Sequence, residues 1–134
     1  MLRSTFVSVA LLVLAGCLSL PAPRCQSGEQ PLVNDLLYFG TARPGGVVSA
    51  DEWAAFLARE VTPRFPAGLT TWPASGQWRS ADGSLTRESS NVLNLLHASD
   101  EASEAAVREL VAQYKAQFQQ EAVLRVKSHA CVSF

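Results

Sequence analysis

Six side chains in the sequence have the chemistry to bind or transform a small molecule. They are Tyr38, Arg64, Trp78, Glu88, His97 and Arg125. The imidazole of His97 could act as a general base, provided that a carboxylate orients it. The guanidinium of Arg64 lies between two prolines and offers a fixed fork of donors to an anion. These residues define the candidate ligand site, and each of them also has a structural interpretation.

The aromatic candidates and Arg64 fit a packing role as well as a binding role. Tyr38 could be a core or rim residue whose hydroxyl is hydrogen-bonded. Trp72 and Trp78 lie an even number of residues apart in one predicted strand, so they share a face and could simply pack there. Arg64 could pair with a carboxylate or a carbonyl and hold its connector in place.

The remaining charged candidates also have two interpretations. Glu88 and Arg125 could form an ion pair across the sheet or the polar end of a pocket. His97 stands at a strand end directly before a helix cap, which is typical of a turn residue. The sequence shows no Ser-His-Asp order, paired-carboxylate signature or metal-ligand spacing, so no catalytic residue is assigned and neither a cofactor nor a metal is expected.

The N-terminal segment predicts export. Residues 6–14 form a short apolar run after a weakly positive start, which matches a secretory signal and is too short to span a bilayer. The run ends in Leu14-Ala15-Gly16-Cys17, which resembles the bacterial lipobox. We therefore expect residues 1–16 to be a signal peptide and Cys17 to carry acyl chains that anchor the protein to a membrane, facing the periplasm or the cell exterior. Ordinary cleavage near Ala22 and an uncleaved anchor are the alternatives.

The other two cysteines predict a disulfide. Export would place Cys25 and Cys131 in an oxidising compartment, where an even pair of cysteines usually forms a bridge. A redox-active pair is the alternative, but such pairs usually lie close together in sequence.

Composition limits the partners. The chain of 134 residues has a formal net charge of −1 and 17% charged residues. Nucleic-acid binding needs clustered Lys and Arg, so this balance argues against it. We expect a tether over residues 17–31 and a single domain over residues 32–134.

Hydrophobic periodicity and turn signals predict the fold class. The predicted elements are strands at 33–41, 69–79, 85–97 and 121–127, a helix capped by Ser49 and ended by Pro63, and a helix capped by Ser99 or Asp100. The order β-α-β-β-α-β predicts a ferredoxin-like α+β fold, a four-stranded antiparallel sheet with two helices on one face. The last strand would then lie beside the first, which brings Cys25 and Cys131 together.

Several strings occur together in a way that resembles a known family. They are Leu37-Tyr38-Phe39-Gly40, Trp53, Pro63-Arg64-Phe65-Pro66, Gly76-Gln77-Trp78-Arg79 and Gln120-Glu121. The combination resembles the uncharacterised bacterial family catalogued as domain of unknown function 3574, over roughly residues 25–134. The resemblance implies an exported bacterial protein and no particular chemistry.

Two functional hypotheses follow. The first is a lipid-anchored binding or interaction module, whose open sheet face could pair with a second copy in a homodimer. The second is a small enzyme of the dimeric α+β-barrel type, which would act on an apolar or aromatic small molecule through Tyr38, His97 or Arg125. The identity of the small-molecule ligand is not encoded in any motif of the sequence.

Overall fold

The computed structural model describes residues 24–79 and 81–134. The predicted signal peptide and the proposed lipidation site Cys17 lie outside these residues. The strands are β1 (Gln30–Gly40), β2 (Ala42–Arg43), β3 (Gly46–Val47), β4 (Thr70–Arg79), β5 (Leu85–His97) and β6 (Leu124–Val132). The helices are α1 (Ala50–Phe56), which continues as a π-helical turn (Leu57–Val61), and α2 (Glu101–Phe118). Among the described residues, no helix is long and apolar enough to cross a membrane.

The main sheet confirms the predicted topology. Its strand order is β4-β5-β1-β6, with each neighbouring pair antiparallel. The short β2–β3 hairpin turns at Pro44-Gly45 and forms a small second sheet in the segment that joins β1 to α1. Pro73 lies in β4 at an edge of the sheet, where a residue without an N–H is tolerated. The last strand starts later than predicted and runs on to Val132.

The helix ends follow from local hydrogen bonds. Ser49 and Glu52 form the expected capping box, and the backbone N–H of Ser49, followed by Arg43, lowers the pKa of Glu52. Asp100 is the residue that caps α2, through a 2.7 Å bond from the N–H of Ser103. Beyond α2, Gln119 adopts the left-handed conformation with φ 55°, which turns the chain back towards the sheet.

An aromatic cluster joins both helices to the sheet. Its members are Phe39, Trp53, Phe56, Tyr114 and Phe118, with ring centroids between 4.6 and 6.1 Å apart. The hydroxyl of Tyr114 donates to the carbonyl of Gly40 at 2.9 Å, and burial raises the pKa of Tyr114 to about 12. This bond fixes the end of β1 against α2.

The disulfide predicted from the cysteine count is formed. The sulfur atoms of Cys25 and Cys131 are 2.09 Å apart, and their Cα atoms are 5.4 Å apart. Cys131 lies opposite Pro31 in the β1–β6 pair, so the bridge fastens the segment before β1 to the neighbouring strand. Glu29 lies near both sulfurs, but the disulfide occupies the two thiols that a metal would need.

The two faces of the sheet differ in charge. Alternate residues of a strand point to opposite faces, and buried Val33, Asp35, Leu37 and Phe39 place that side of β1 against the helices. On the opposite side, here called the open face, the described residues place no helix. The register assigns the following larger side chains to it: Leu32, Leu36, Tyr38, Trp72, Trp78, Glu88, Val92, Leu96, Leu124 and Val126. Among the described strand positions, Glu88 is the only charged residue on the open face.

Candidate functional site

A niche on the open face brings together three of the predicted site residues. Two adjoining cavities of about 570 and 320 Å³ share Trp78, Glu88 and Ala122, and we call them together the Glu88 niche. Their remaining lining residues are Tyr38, Gly40, Ala42, Arg43, Pro44, Gly76, Ser90, Gln119, Gln120, Glu121 and Leu124. Trp72 shares the open face with Trp78, as predicted, but does not line the niche.

Strand pairing places the functional groups of the niche. Glu88 of β5 lies opposite Gly76 of β4, whose missing side chain leaves the space beside the carboxylate open. Trp78 follows Gly76 by two residues and therefore points to the same face, where 49% of its surface is exposed. Tyr38 approaches from the central strand β1. An aromatic wall and a carboxylate thus border one solvent-accessible space.

Gly40 is a position of close approach. A Cβ atom built there would overlap Oε1 of Glu88 and would lie 3.0 Å from Oε1 of Gln120. The Gln120 amide nitrogen donates to the carbonyls of Ala42 at 2.7 Å and Phe118 at 3.2 Å, which holds this side chain at the border of the niche. The absent side chain of Gly40 therefore lets both oxygen atoms come close to β1.

We expect Gly40→Ala to displace the carboxylate of Glu88 while changing the free energy of unfolding by less than about 1 kcal/mol. The atoms that the new methyl group would meet are the ends of flexible side chains, which can move at little cost. Crystal structures of Gly40→Ala and of the control Gly76→Ala would check this. At Gly76 an added Cβ meets nothing within 4 Å, so an unmoved Glu88 in both variants would contradict the expectation.

The electrostatic balance of the niche is negative. Neither Glu88 nor Glu121 has an ion-pair partner within the described part of the chain. Arg43 also lines the niche, but two bonds of 2.8 and 2.9 Å join its guanidinium to Glu52. Glu52 therefore neutralises Arg43, whereas no cation neutralises Glu88 or Glu121 within the described part of the chain.

A second polar cluster, here called the Asp35 network, lies on the helix side of the sheet. Asp35 is fully buried and accepts bonds from Arg125 Nε at 2.8 Å and Nη2 at 2.5 Å. His97 Nε2 lies 2.9 Å from the same carboxylate. Arg125 and Lys127 also bind Glu104 on α2. The pairing of Arg125 with Glu88 was therefore a wrong prediction, because the two side chains lie on opposite faces.

Two other predicted site residues have structural partners. Nδ1 of His97 lies 2.8 Å from the Ala98 carbonyl, so both ring nitrogens face oxygen atoms and neither is free to serve as a base. Arg64 donates to the Glu60 carbonyl at 2.7 Å and to its carboxylate at 2.9 Å, which pins the connector after α1. The structure thus brings Tyr38, Trp78 and Glu88 together and leaves His97, Arg125 and Arg64 elsewhere.

Glu104 makes the Asp35 network sensitive to acid. Hydrogen bonds from Lys127 and then Arg125 lower the pKa of Glu104 from 4.5 to about 2. Because the pKa is lower in the folded state, the stabilisation is present above about pH 4.5 and is lost as the pH falls towards 2. Arg108, one helical turn after Glu104, binds Glu101 at 2.5 Å instead of Glu104.

We expect Glu104→Gln to lower the free energy of unfolding by about 1 kcal/mol near neutral pH and by much less near pH 2.5. The loss at neutral pH is small because solvent screens the ion pairs of Glu104 with Lys127 and Arg125. Urea unfolding at both pH values would measure it. Glu101→Gln is the control, because that side chain is 82% exposed. Equal losses for Glu104→Gln at the two pH values would contradict the pKa assignment.

Sequence reasoning missed Gly40 and Gln120 as niche residues and Asp35 as the centre of the network. The signal for Asp35 was an acidic residue in phase with Val33, Leu37 and Phe39, at a position where the strand alternation predicts burial. Gly40 and Gln120 lie in strings that carry the family resemblance, but nothing local assigns them a common site.

The fold and the niche define the class of protein: a ferredoxin-like α+β domain with a ligand-sized niche on its open sheet face. The chain belongs to the family described as "Protein of unknown function (DUF3574)", whose model matches residues 34–134. No curated protein matches the sequence.

Two solved structures of a phage SAM lyase are similar to this chain. The complex with S-methyl-5'-thioadenosine has a TM-score of 0.57 and 14% sequence identity, and the match covers 84% of this chain and 95% of that one. The apo structure has a TM-score of 0.55 and 12% identity, with 85% and 97% covered. At these identities the likeness shows a shared fold.

Proposed function

We propose that this protein is an exported, lipid-anchored envelope protein that binds a small molecule in the Glu88 niche. The observation that carries the proposal is the carboxylate of Glu88, which has no ion-pair partner among the described residues and lies beside Trp78 and Tyr38 on the open face. Binding pockets combine apolar walls with a few polar groups that fix orientation. The other titratable cluster is occupied in internal bonds, which favours binding over catalysis.

Native mass spectrometry of the protein purified from its host tests the binding proposal. We expect a co-purified small molecule that is lost in Trp78→Ala and kept in Trp72→Ala. Both tryptophans are exposed on the open face, at 49% and 41%, but only Trp78 lines the niche. Equal retention by the two variants, or no bound molecule in the wild type, would reject the niche as the binding site.

The anchoring proposal is supported by the leader and by the disulfide. A Cys25–Cys131 bridge suits an oxidising compartment outside the cytoplasm. The mass of the N-terminal peptide from the membrane fraction tests the anchor: we expect an acylated Cys17, and its absence in Cys17→Ala with release from the membrane. A mature N-terminus after Cys17 without acyl mass would end the lipoprotein proposal.

We also propose that a second copy covers the open face. Trp72, Leu124 and Val126 are 41%, 61% and 46% exposed there, and Glu88 alone carries charge among the described strand positions. Two such faces would meet with little repulsion and would bury apolar surface. Sedimentation of the wild type should show a dimer and Val126→Asp a monomer. A wild type that sediments as a monomer at high concentration would overturn this proposal.

A lyase is the second candidate function, favoured by the fold shared with the phage SAM lyase. The predicted enzyme site of Tyr38, His97 and Arg125 is not assembled, because Tyr38 lies on the open face and the other two belong to the Asp35 network. We therefore place the site of this second candidate in the Glu88 niche. Formation of S-methyl-5'-thioadenosine from S-adenosylmethionine, abolished in Glu88→Gln, would support it, and no turnover would reject it.

A further inference from the structure

We propose that the ligand of the Glu88 niche is a protonated amine or amidine carried on an apolar body. This inference rests on the proposed function and adds the chemical class of the ligand. It follows from the acceptors, the charges and the apolar walls of the niche.

The oxygen atoms at the niche form an acceptor pair. Oε1 of Glu88 and Oε1 of Gln120 both lie within 3.0 Å of the position that a Cβ atom at Gly40 would take. The amide nitrogen of Gln120 donates to two carbonyls, and these bonds fix the orientation of the amide group. The amide oxygen therefore points away from those carbonyls. No described residue donates to either oxygen. A group with two or more N–H donors complements this pair.

The charges select the sign of the ligand. Glu88 and Glu121 are unpaired among the described residues, and Glu52 neutralises the nearby Arg43. An anion would meet uncompensated negative charge, whereas a cation would gain a charge-assisted hydrogen bond. The electrostatics of the niche therefore oppose carboxylate or phosphate ligands.

The apolar lining of the niche favours a ligand with an apolar group next to its charged group. Trp78, Tyr38 and Leu124 border the smaller cavity together with Glu88. The face of an indole or phenol ring attracts a neighbouring cation and also packs against a flat hydrocarbon. A planar cation with an aromatic part matches both features.

Benzamidine and benzamide are a matched pair of probes, because they have nearly the same shape and only the amidine is charged. In NMR titrations of the purified mature protein, we expect benzamidine to bind about tenfold more tightly than benzamide, as one charged hydrogen bond would give. Glu88→Gln should abolish the difference, and the exposed-charge control Glu101→Gln should keep it. Circular dichroism would confirm that each variant is folded.

The outcomes separate the two proposals. If benzamide binds as tightly as benzamidine and Trp78→Ala weakens both, the niche is a binding site and the cationic class is wrong. If Trp78→Ala changes neither affinity, or if neither probe binds, the niche itself fails and the ligand class fails with it. A preference for benzamidine that survives in Glu88→Gln would also overturn the inference.

Discussion

Replacing Cys25 and Cys131 together by serine is expected to lower the free energy of unfolding by about 4 kcal/mol. The bridge joins residues separated by 106 positions, so it restricts the unfolded chain strongly. The chain-entropy model gives up to ~4.7 kcal/mol for a loop of about this length, and measured losses are usually smaller. The disulfide also joins β6 to the segment that follows the predicted membrane anchor. Loss of the bridge should therefore loosen the edge strand first.

Equilibrium unfolding in guanidinium chloride measures this effect. The oxidised wild type is compared with the double Cys→Ser variant and with the wild type reduced by dithiothreitol. The double Cys→Ser variant and the reduced wild type should have the same free energy of unfolding. A variant that is unfolded even without denaturant would agree with a loss of about 4 kcal/mol or more. A loss below about 1 kcal/mol in both forms would show that the disulfide adds little to the packing of β1 against β6.

Asp35→Ala is expected to cost about 3–5 kcal/mol, because removal of one member of a buried ion pair leaves its partner uncompensated. Asp35 has no exposed surface and is bound to both Arg125 and His97. Arg125 keeps its charge when Asp35 is removed, because an arginine guanidinium is protonated at neutral pH even without a partner. The variant would therefore leave a cation partly buried between α2 and the sheet.

Urea unfolding of Asp35→Ala and Asp35→Asn separates the contribution of the Asp35 charge to stability from that of the side-chain volume. The asparagine variant keeps the shape and should lose most of the same stability, whereas Glu101→Gln on the exposed surface should lose less than about 0.5 kcal/mol. Equal, small losses for Asp35→Asn and Glu101→Gln would show that the Asp35 network is not a stabilising element.

The order of strands and helices could be predicted because local signals agree with one another. The capping box at Ser49, the turn before Leu85 and the strand ending at His97 lie where they were expected. The disulfide followed from the cysteine count together with the topology. These features depend on residues near one another in sequence, or on a pairing that the fold class imposes.

The environment of β6 could not be predicted, because alternation separates two faces without saying which one meets the helices. Leu124 and Val126 alternate with Arg125 and Lys127, and an apolar pair would usually be assigned to the core. The structure does the reverse, since Asp35 and Glu104 on the helix side hold the two cations. The apolar pair is left on the open face.

The Glu88 niche was only partly predictable for a similar reason. Tyr38, Trp78 and Glu88 could be identified as candidates from their chemistry, but their proximity depends on strand register. Gly40 and Gln120 contribute an absent side chain and an amide oxygen, which carry no distinctive sequence signal. Candidates such as His97 and Arg64 could not be set aside before their partners were known.

The most direct test of the proposed binding site is an NMR screen of small aromatic compounds against the mature protein. The structure offers a competing cavity of about 430 Å³ at the other end of the open face, lined by Leu32, Leu96 and Phe134 among others. We predict that compounds that bind shift the amide signals of Gly40, Trp78 and Glu88. Shifts clustered at Leu32, Leu96 and Phe134 instead, or no specific shifts at all, would contradict the assignment of the Glu88 niche.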